Sequence, residues 1–248
     1  MPSKRRVALI TGGTTGIGFA TARVLREQNF EVAVTGQNPE RVAAAQGALP
    51  SDVLVMRADA RRLADTQAVA DELRTRYGRL DVLFLNAGVG PMQPVEAVDE
   101  ASFDDTFAVN VKGQFFTLQK VLPLLQEGAS VVLMGALGVS VGVPNYSVAT
   151  ATRGAMMAMV APLAVELAPR RIRVNAVVPS AIETPAFEKL GLTAEQIAGF
   201  DKWIRGRLLG GGPGTAEDVA CLVAFLVSPA AGFITGSCIP IDGGMGVT

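Results

Sequence analysis

Thr11-Gly12-Gly13-Thr14-Thr15-Gly16-Ile17-Gly18 is the stretch whose residue types and spacing most directly imply chemistry. Glycines at 12, 16 and 18 let backbone approach a bulky anion. They lie between a short apolar run, Val7–Ile10, and a helical pattern. A strand that turns through glycine into a helix presents free N–H groups and the positive end of the helix dipole, which suits a pyrophosphate. The strand–turn–helix context lifts the glycine trio above a chance match. Gly12, Thr14, Thr15, Gly16, Ile17 and Gly18 are the candidate contacts. Composition removes other chemistries. The chain has no histidine, which excludes imidazole acid–base catalysis, Ser-His-Asp triads and His-ligated metals. Cys221 and Cys238 match no metal or redox spacing, so no metal is expected. A formal charge of −1 provides no basic field for nucleic acid or an anionic membrane surface.

The elements that must position this loop are legible as alternation. Apolar runs at Arg6–Thr11, Glu31–Thr35, Val53–Arg57, Val82–Asn86, Ser130–Met134, Arg173–Val178 and Ser237–Ile241 read as strands buried on both faces. Helical patterns lie between them, near 17–28, 38–47, 63–77, 99–126, 146–168 and 215–228. This predicts an α/β fold: a single Rossmann-type domain over 1–248, with a doubly wound parallel sheet of about seven strands and helices on both faces. Pro162 predicts a kink in its helix. Residues 128–152 carry no charge, but Gly135, Gly138, Gly142, Pro144 and Asn145 break the run; it reads as strand, loop and helix start, not a membrane span. Residues 180–215 break the rhythm and read as a lid over a substrate site, with a short helix around 193–206 that carries Trp203. Two cysteines with no disulfide pattern and the absence of a secretory leader pattern predict a cytoplasmic location.

The glycine spacing, G-x-x-x-G-x-G, resembles the T-G-x-x-x-G-I-G signature of the short-chain dehydrogenase/reductase family. Further segments extend the resemblance over essentially the whole chain: Leu85-Asn86-Ala87-Gly88, Asn110-Val111-Lys112-Gly113, Ala58-Asp59-Ala60, Arg173-Val174-Asn175-Ala176-Val177, and Thr235-Gly236 with Asp242-Gly243-Gly244. The resemblance implies a dinucleotide pocket to which Asp59, Ala60, Asn86, Ala87, Gly88, Pro179, Ile182 and Thr184 contribute, and a homotetramer. It also implies that the helix after Arg153, with Met156, Met157 and Met159, packs against a symmetry mate, although a core role for these methionines fits as well.

In this family an acid at the end of the second strand selects NAD. Here that strand ends Val34-Thr35-Gly36-Gln37-Asn38, without an acid. It resembles the T-G-R-N form of members that prefer NADP, with Gln37 in place of the arginine. Arg41 stands one turn on. The expectation is NADP(H) over NAD(H).

The family's active site is a serine, a tyrosine thirteen residues later, a lysine four beyond that, and an asparagine. Aligned through the helix Ala151–Leu167, Arg153 takes the lysine position, Ala149 the tyrosine and Ala136 the serine, while Asn110 remains. The usual acid is therefore missing. Arginine holds its proton at neutral pH, and a positioned general acid is worth about 10²–10⁴ in rate. Three readings follow. The chain reduces an acceptor that needs no proton from Ser or Tyr, with an iminium C=N the best fit; or it is a silent subunit paired with an active relative; or it supports redox-neutral chemistry. A fourth reading, an ordinary enzyme deliberately disabled, does not explain the drift at Gln37, Ser180 and Gly211. Substitute proton donors are Tyr146, placed on the face of Ala149 if the helix has begun, and the carboxylates Glu183, Glu188 and Asp201.

Overall fold

The computed structural model describes residues 5–184 and 193–248. Its strands form where the apolar runs predict, for a reason visible in β1 (Val7–Ile10). Val7 and Leu9 enter the core on one face of the sheet and Ala8 and Ile10 on the other. A period of two needs apolar residues at every position when both faces are covered.

With β2 (Glu31–Gly36), β3 (Leu54–Arg57), β4 (Leu80–Leu85), β5 (Leu125–Met134), β6 (Arg173–Pro179) and an edge strand Cys238–Ile241, β1 forms one parallel sheet. The order is β3-β2-β1-β4-β5-β6 and then the edge strand. Leu9 pairs with Ala33 on one side and Leu83 on the other. The strand order therefore reverses between β1 and β4, and such a switch point leaves a ligand crevice beyond the strand C-termini.

Helices α1 (Gly16–Glu27) and α2 (Pro39–Ala48), with Ala216–Val227, cover one face through Leu25, Ala45, Val219 and Val223. The other face is covered by α3 (Leu63–Arg76) and by helices at Gln114–Val121, Ser147–Ala158 and Val160–Leu167, through Leu73, Leu118, Met156 and Leu163.

The long helix expected over 99–126 divides. It consists of α4 (Glu100–Phe107), a π turn at Ala108–Gly113, α5 (Gln114–Val121) and a last tight turn, and β5 begins at Leu125, earlier than the expected Ser130. π turns of this kind mark functional positions, and this one contains Asn110. The next helix starts at Ser147 and divides into α6 (Ser147–Ala158) and α7 (Val160–Leu167), because Pro162 has no N–H for the carbonyl of Ala158. Residues Ser147–Arg170 are long and apolar enough to cross a membrane by length and composition alone; here Met156, Val160, Leu163 and Leu167 pack onto the sheet. Met156 is fully buried in this core, and the half-buried Met159 packs against it.

Segment 180–215 contains a pair the sequence did not announce: β7 (Ile182–Glu183) lies beside β8 (Gly214–Thr215) and closes the base of the segment. Between them, α8 (Ala194–Arg205) matches the expected short helix and opens on a capping box formed by Thr193 and Gln196. Helix α9 (Ala216–Val227) and edge strand β9 (Cys238–Ile241) complete the chain.

Candidate active site

A cavity of about 430 Å³ runs along the strand C-termini. At its centre the glycine loop is stitched to the segment after β4. The Thr11 hydroxyl accepts from the N–H groups of Asn86 (2.9 Å) and Ala87 (3.0 Å) and donates to Gln114 Oε1 (2.8 Å). Asn86 Nδ2 donates to the carbonyls of Thr11 and Gly12 at 2.9 and 3.0 Å. Gly12 and Gly16 have φ of +64° and +56°, a backbone that glycine adopts without strain. Gly12, Thr14, Thr15, Gly16 and Ile17 line the cavity. Gly18 does not. A Cβ there would stand 2.5 Å from the Gly12 carbonyl, so Gly18 allows α1 to pack on the loop.

At one end Gln37, Asn38, Arg41, Asp59 and Ala60 line the wall. The Asn38 side chain is committed to the cap of α2, accepting from Arg41 N at 2.9 Å. Arg61 was not singled out by sequence. Its guanidinium bonds Asp105, Asp59 and Gln37 Oε1, and the hydrogen bond to Asp105 raises its pKa. Gln37 is thus held from both sides, since Arg57 Nε also donates to its carbonyl at 3.3 Å.

At the other end Asn86, Ala87, Gly88, Ala136, Tyr146, Arg153, Pro179, Ile182 and Thr184 line the cavity. Asn110 and Ala149 do not. Asn110 is fully buried. It accepts from Val89 N at 2.8 Å and donates to the Val89 carbonyl at 2.7 Å and to Thr152 Oγ1 at 2.9 Å. Both amide hydrogens are therefore used within the protein. Ala149 is buried on α6, four residues before Arg153.

Gly88 and Gly90 flank the clamped Val89, and each makes room for one functional side chain. A Cβ at Gly88 would lie 2.1 Å from Arg153 Nη2; a Cβ at Gly90 would lie 2.3 Å from the Tyr146 hydroxyl. Arg153 Nη1 also donates to the Met134 carbonyl at 3.2 Å. Burial raises the Tyr146 pKa, opposed by the nearby Arg153 guanidinium, and burial lowers the pKa of Arg153. Tyr146 is not a helical residue, as the shared-face argument required. It is the N-cap of α6, and Asn145 before it is left-handed at φ +61°. The phenol reaches the cavity through that turn. Among the candidate carboxylates, Glu183 and Asp201 both face Arg205, at 4.0 and 2.7 Å, and neither lines the cavity. Glu188 lies outside the described residues.

The apolar part of this wall escaped the sequence reading. Met92, Leu137, Val141, Val143, Phe200, Ile204 and Met245 join Trp203 there. They come from four separate stretches of chain, which no local pattern connects. Among the described residues no group of His, Cys, Asp or Glu is placed to hold a metal. What the cavity offers is a phosphate cradle, a guanidinium at each end (Arg41 and Arg153), one phenol and an apolar chamber: the parts for binding a dinucleotide beside an apolar group.

Comparison with known proteins finds relatives over nearly the whole chain. The family profile described as enoyl-(acyl carrier protein) reductase matches residues 12–246. A versicolorin reductase of Emericella nidulans is 34% identical over 96% of this chain and 95% of its own. Among solved structures, a short-chain dehydrogenase/reductase (glucose/ribitol dehydrogenase) from Brucella melitensis has a TM-score of 0.89 at 30% identity, covering 97% of this chain and 96% of that one. A 3-ketoacyl-(acyl-carrier-protein) reductase from the same organism, complexed with NADH, has a TM-score of 0.88 at 29% identity over 97% and 98%.

Proposed function

The chain belongs to the short-chain dehydrogenase/reductase family, and from that premise we propose that it is an NADP(H)-dependent reductase of a C=O or C=N group whose active site is non-standard: methyl groups at Ala136 and Ala149, a guanidinium at Arg153, and Tyr146 as the one phenol beside the reacting atoms. The observation that carries this reading is that Tyr146 and Arg153 enter one cavity against Gly90 and Gly88. The turn that forms the cradle needs glycine at 12 and 13, where a Cβ would stand 2.8 Å from Ala87 Cα and 2.6 Å from Val34 Cβ, and its backbone at Gly12, Thr14, Thr15 and Gly16 lines the cavity where the pyrophosphate would lie.

When bound, the nicotinamide supplies hydride. The chain's own residues bind, orient and protonate. Arg153 is the hydrogen-bond donor for the nicotinamide ribose and keeps its charge. Tyr146 is the hydroxyl that donates a proton to the reduced oxygen or nitrogen. Gln37, with no acid at the end of β2 and Arg41 in the cavity wall, favours a 2′-phosphate.

The fixed charge of Arg153 revises the preference for an iminium. A cationic substrate would sit beside a guanidinium, whereas an oxygen that gains negative charge is stabilised by it. A ketone or a neutral imine, protonated by Tyr146, fits better. Exposed Phe115 on α5 and Val165 on α7 support self-association, and we assign the homotetramer as the working assembly.

Titrating NADPH and NADH by fluorescence, then assaying ketones beside cyclic imines, tests the reading. Tight NADPH binding with turnover that drops in Tyr146→Phe is expected. Failure to bind either nucleotide overturns it. Binding without turnover on any acceptor leaves a silent subunit instead.

A further inference from the structure

The reductase reading uses the phenol, the guanidinium and the phosphate cradle, and leaves the wall built by α8 without a role. Phe200 and Trp203 line the cavity with their rings stacked, 5.8 Å between centroids and 11° between planes. The Arg207 guanidinium stands 4.9 Å over the Trp203 ring. The segment after α8 is fastened to the chain's last turn: Leu209 N donates to the Gly243 carbonyl at 3.0 Å, and the Thr248 hydroxyl to the Arg207 carbonyl at 3.0 Å. Met92, Val141, Val143 and Met245 line the same chamber. Of the charged side chains lining the cavity among the described residues, Arg41 and Asp59 belong to the other end, and Arg153 alone stands here. The Ser180 hydroxyl is committed to the Asp242 carbonyl at 3.0 Å.

We propose that the substrate is an uncharged, flat, conjugated ring ketone or cyclic imine whose ring docks on the Phe200–Trp203 wall. This rests on the reductase reading and adds the substrate class to it. An anionic or zwitterionic substrate would lose hydration against methionine, valine and aromatic surface, and the one cation at this end, Arg153, is already engaged by the Met134 carbonyl and, in the reductase reading, by the cofactor's ribose. Any apolar group gains from burial there. A π system gains further from a stacked aromatic pair whose geometry is already set, and the thioethers of Met92 and Met245 suit ring edges. A saturated, puckered ring of the same size has no use for either feature.

The pair 1-tetralone and 1-decalone isolates that difference, because both carry ten carbons and a ketone but only the first has a flat aromatic ring conjugated with its carbonyl. Calorimetric titration of each into NADP⁺-saturated protein reads it directly. The tetralone is expected to bind about tenfold tighter and to quench the fluorescence of Trp203, the only tryptophan. In Trp203→Leu the preference falls to about twofold or less while NADP⁺ affinity is retained. Phe200→Leu, on the same wall, reports the same loss if the first variant fails to fold. Equal binding of the two ketones, binding of neither, or a preference that survives both substitutions overturns the proposal. Failure of the unmodified protein to bind either NADP⁺ or NAD⁺ strikes the reductase reading instead, and the same two titrations on cofactor-free protein then decide the substrate class separately; binding of NAD⁺ alone moves the titrations to NAD⁺-saturated protein.

Discussion

The Tyr146 hydroxyl occupies the space that a methyl group on Gly90 would take, 2.3 Å from where that carbon would stand. The same holds two residues earlier for Gly88 and Arg153, and Asn110 grips both sides of the Val89 peptide between them. The short segment 88–90 is therefore a jig: one clamped residue flanked by two notches. Gly90→Ala should push the phenol aside. Displacing a reacting group by about 1 Å costs about 10²-fold in rate, so kcat is expected to fall by about that factor while NADPH affinity is nearly unchanged. Gly88→Ala should do the reverse, weakening the cofactor through Arg153. Fluorescence titration and initial rates on the two variants separate these effects. Identical behaviour of the two would show that the notches are not specific.

Asn110 predicts a stability effect. Asn110→Ala strands the N–H and C=O of Val89 and removes the donor to Thr152 Oγ1. Unmade buried hydrogen bonds cost about 1–3 kcal/mol each, and a loss of about 2–5 kcal/mol in all is expected in denaturant unfolding. Asn110→Asp keeps the acceptor for Val89 N but not the two donors, so it should recover little. A loss below about 1 kcal/mol in the alanine variant would mean the clamp is not holding the loop.

Much of this frame is written locally in the chain. Val7–Ile10 is apolar at every position because both faces are covered, and Gly12, Gly16 and Gly18 mark the first strand–helix turn. Other features depend on the fold. The first half of β5 includes half-buried Gln126 and exposed Glu127 and Gly128, so a rule seeking apolar runs starts that strand five residues late. Tyr146 looked helical by spacing, but the left-handed turn at Asn145 places it at the cap. The notch at Gly90 is present in the sequence as a second glycine after Asn86-Ala87-Gly88, yet its meaning needs the phenol that arrives from a loop far along the chain. The apolar chamber is the least legible part. Met92, Val141, Phe200 and Met245 are ordinary hydrophobic residues until four separate stretches of chain converge.

Gln37 predicts the cofactor preference. It directly follows β2, and its side-chain oxygen accepts from Arg61. Gln37→Asp would place a carboxylate where a 2′-phosphate is expected and give the nearby arginines a partner. Two like charges about 4–6 Å apart near a protein surface repel by a few kcal/mol, so NADPH should bind at least about tenfold more weakly while NADH holds or improves. Paired fluorescence titrations measure this. A variant that keeps its NADPH affinity would remove Gln37 from the 2′-phosphate site.

The pH profile tests whether Tyr146 donates the proton. A reduction needs the phenol in its protonated form, so the rate falls as pH rises through the phenol's pKa. Burial raises that pKa, with Arg153 opposing; the proton is held to higher pH than on an ordinary phenol, whose pKa is near 10. At saturating NADPH, kcat/KM should stay flat across neutral pH and decline only above the usual phenol range. Tyr146→Phe should lower the plateau by about 10²–10⁴ and lose the alkaline limb. Arg153→Met should move the limb higher still, because the charge that stabilises the phenolate is gone, and it should separately weaken NADPH binding. A limb below the ordinary phenol range, or one that persists in Tyr146→Phe, would assign the proton to another group and leave the phenol a wall of the pocket.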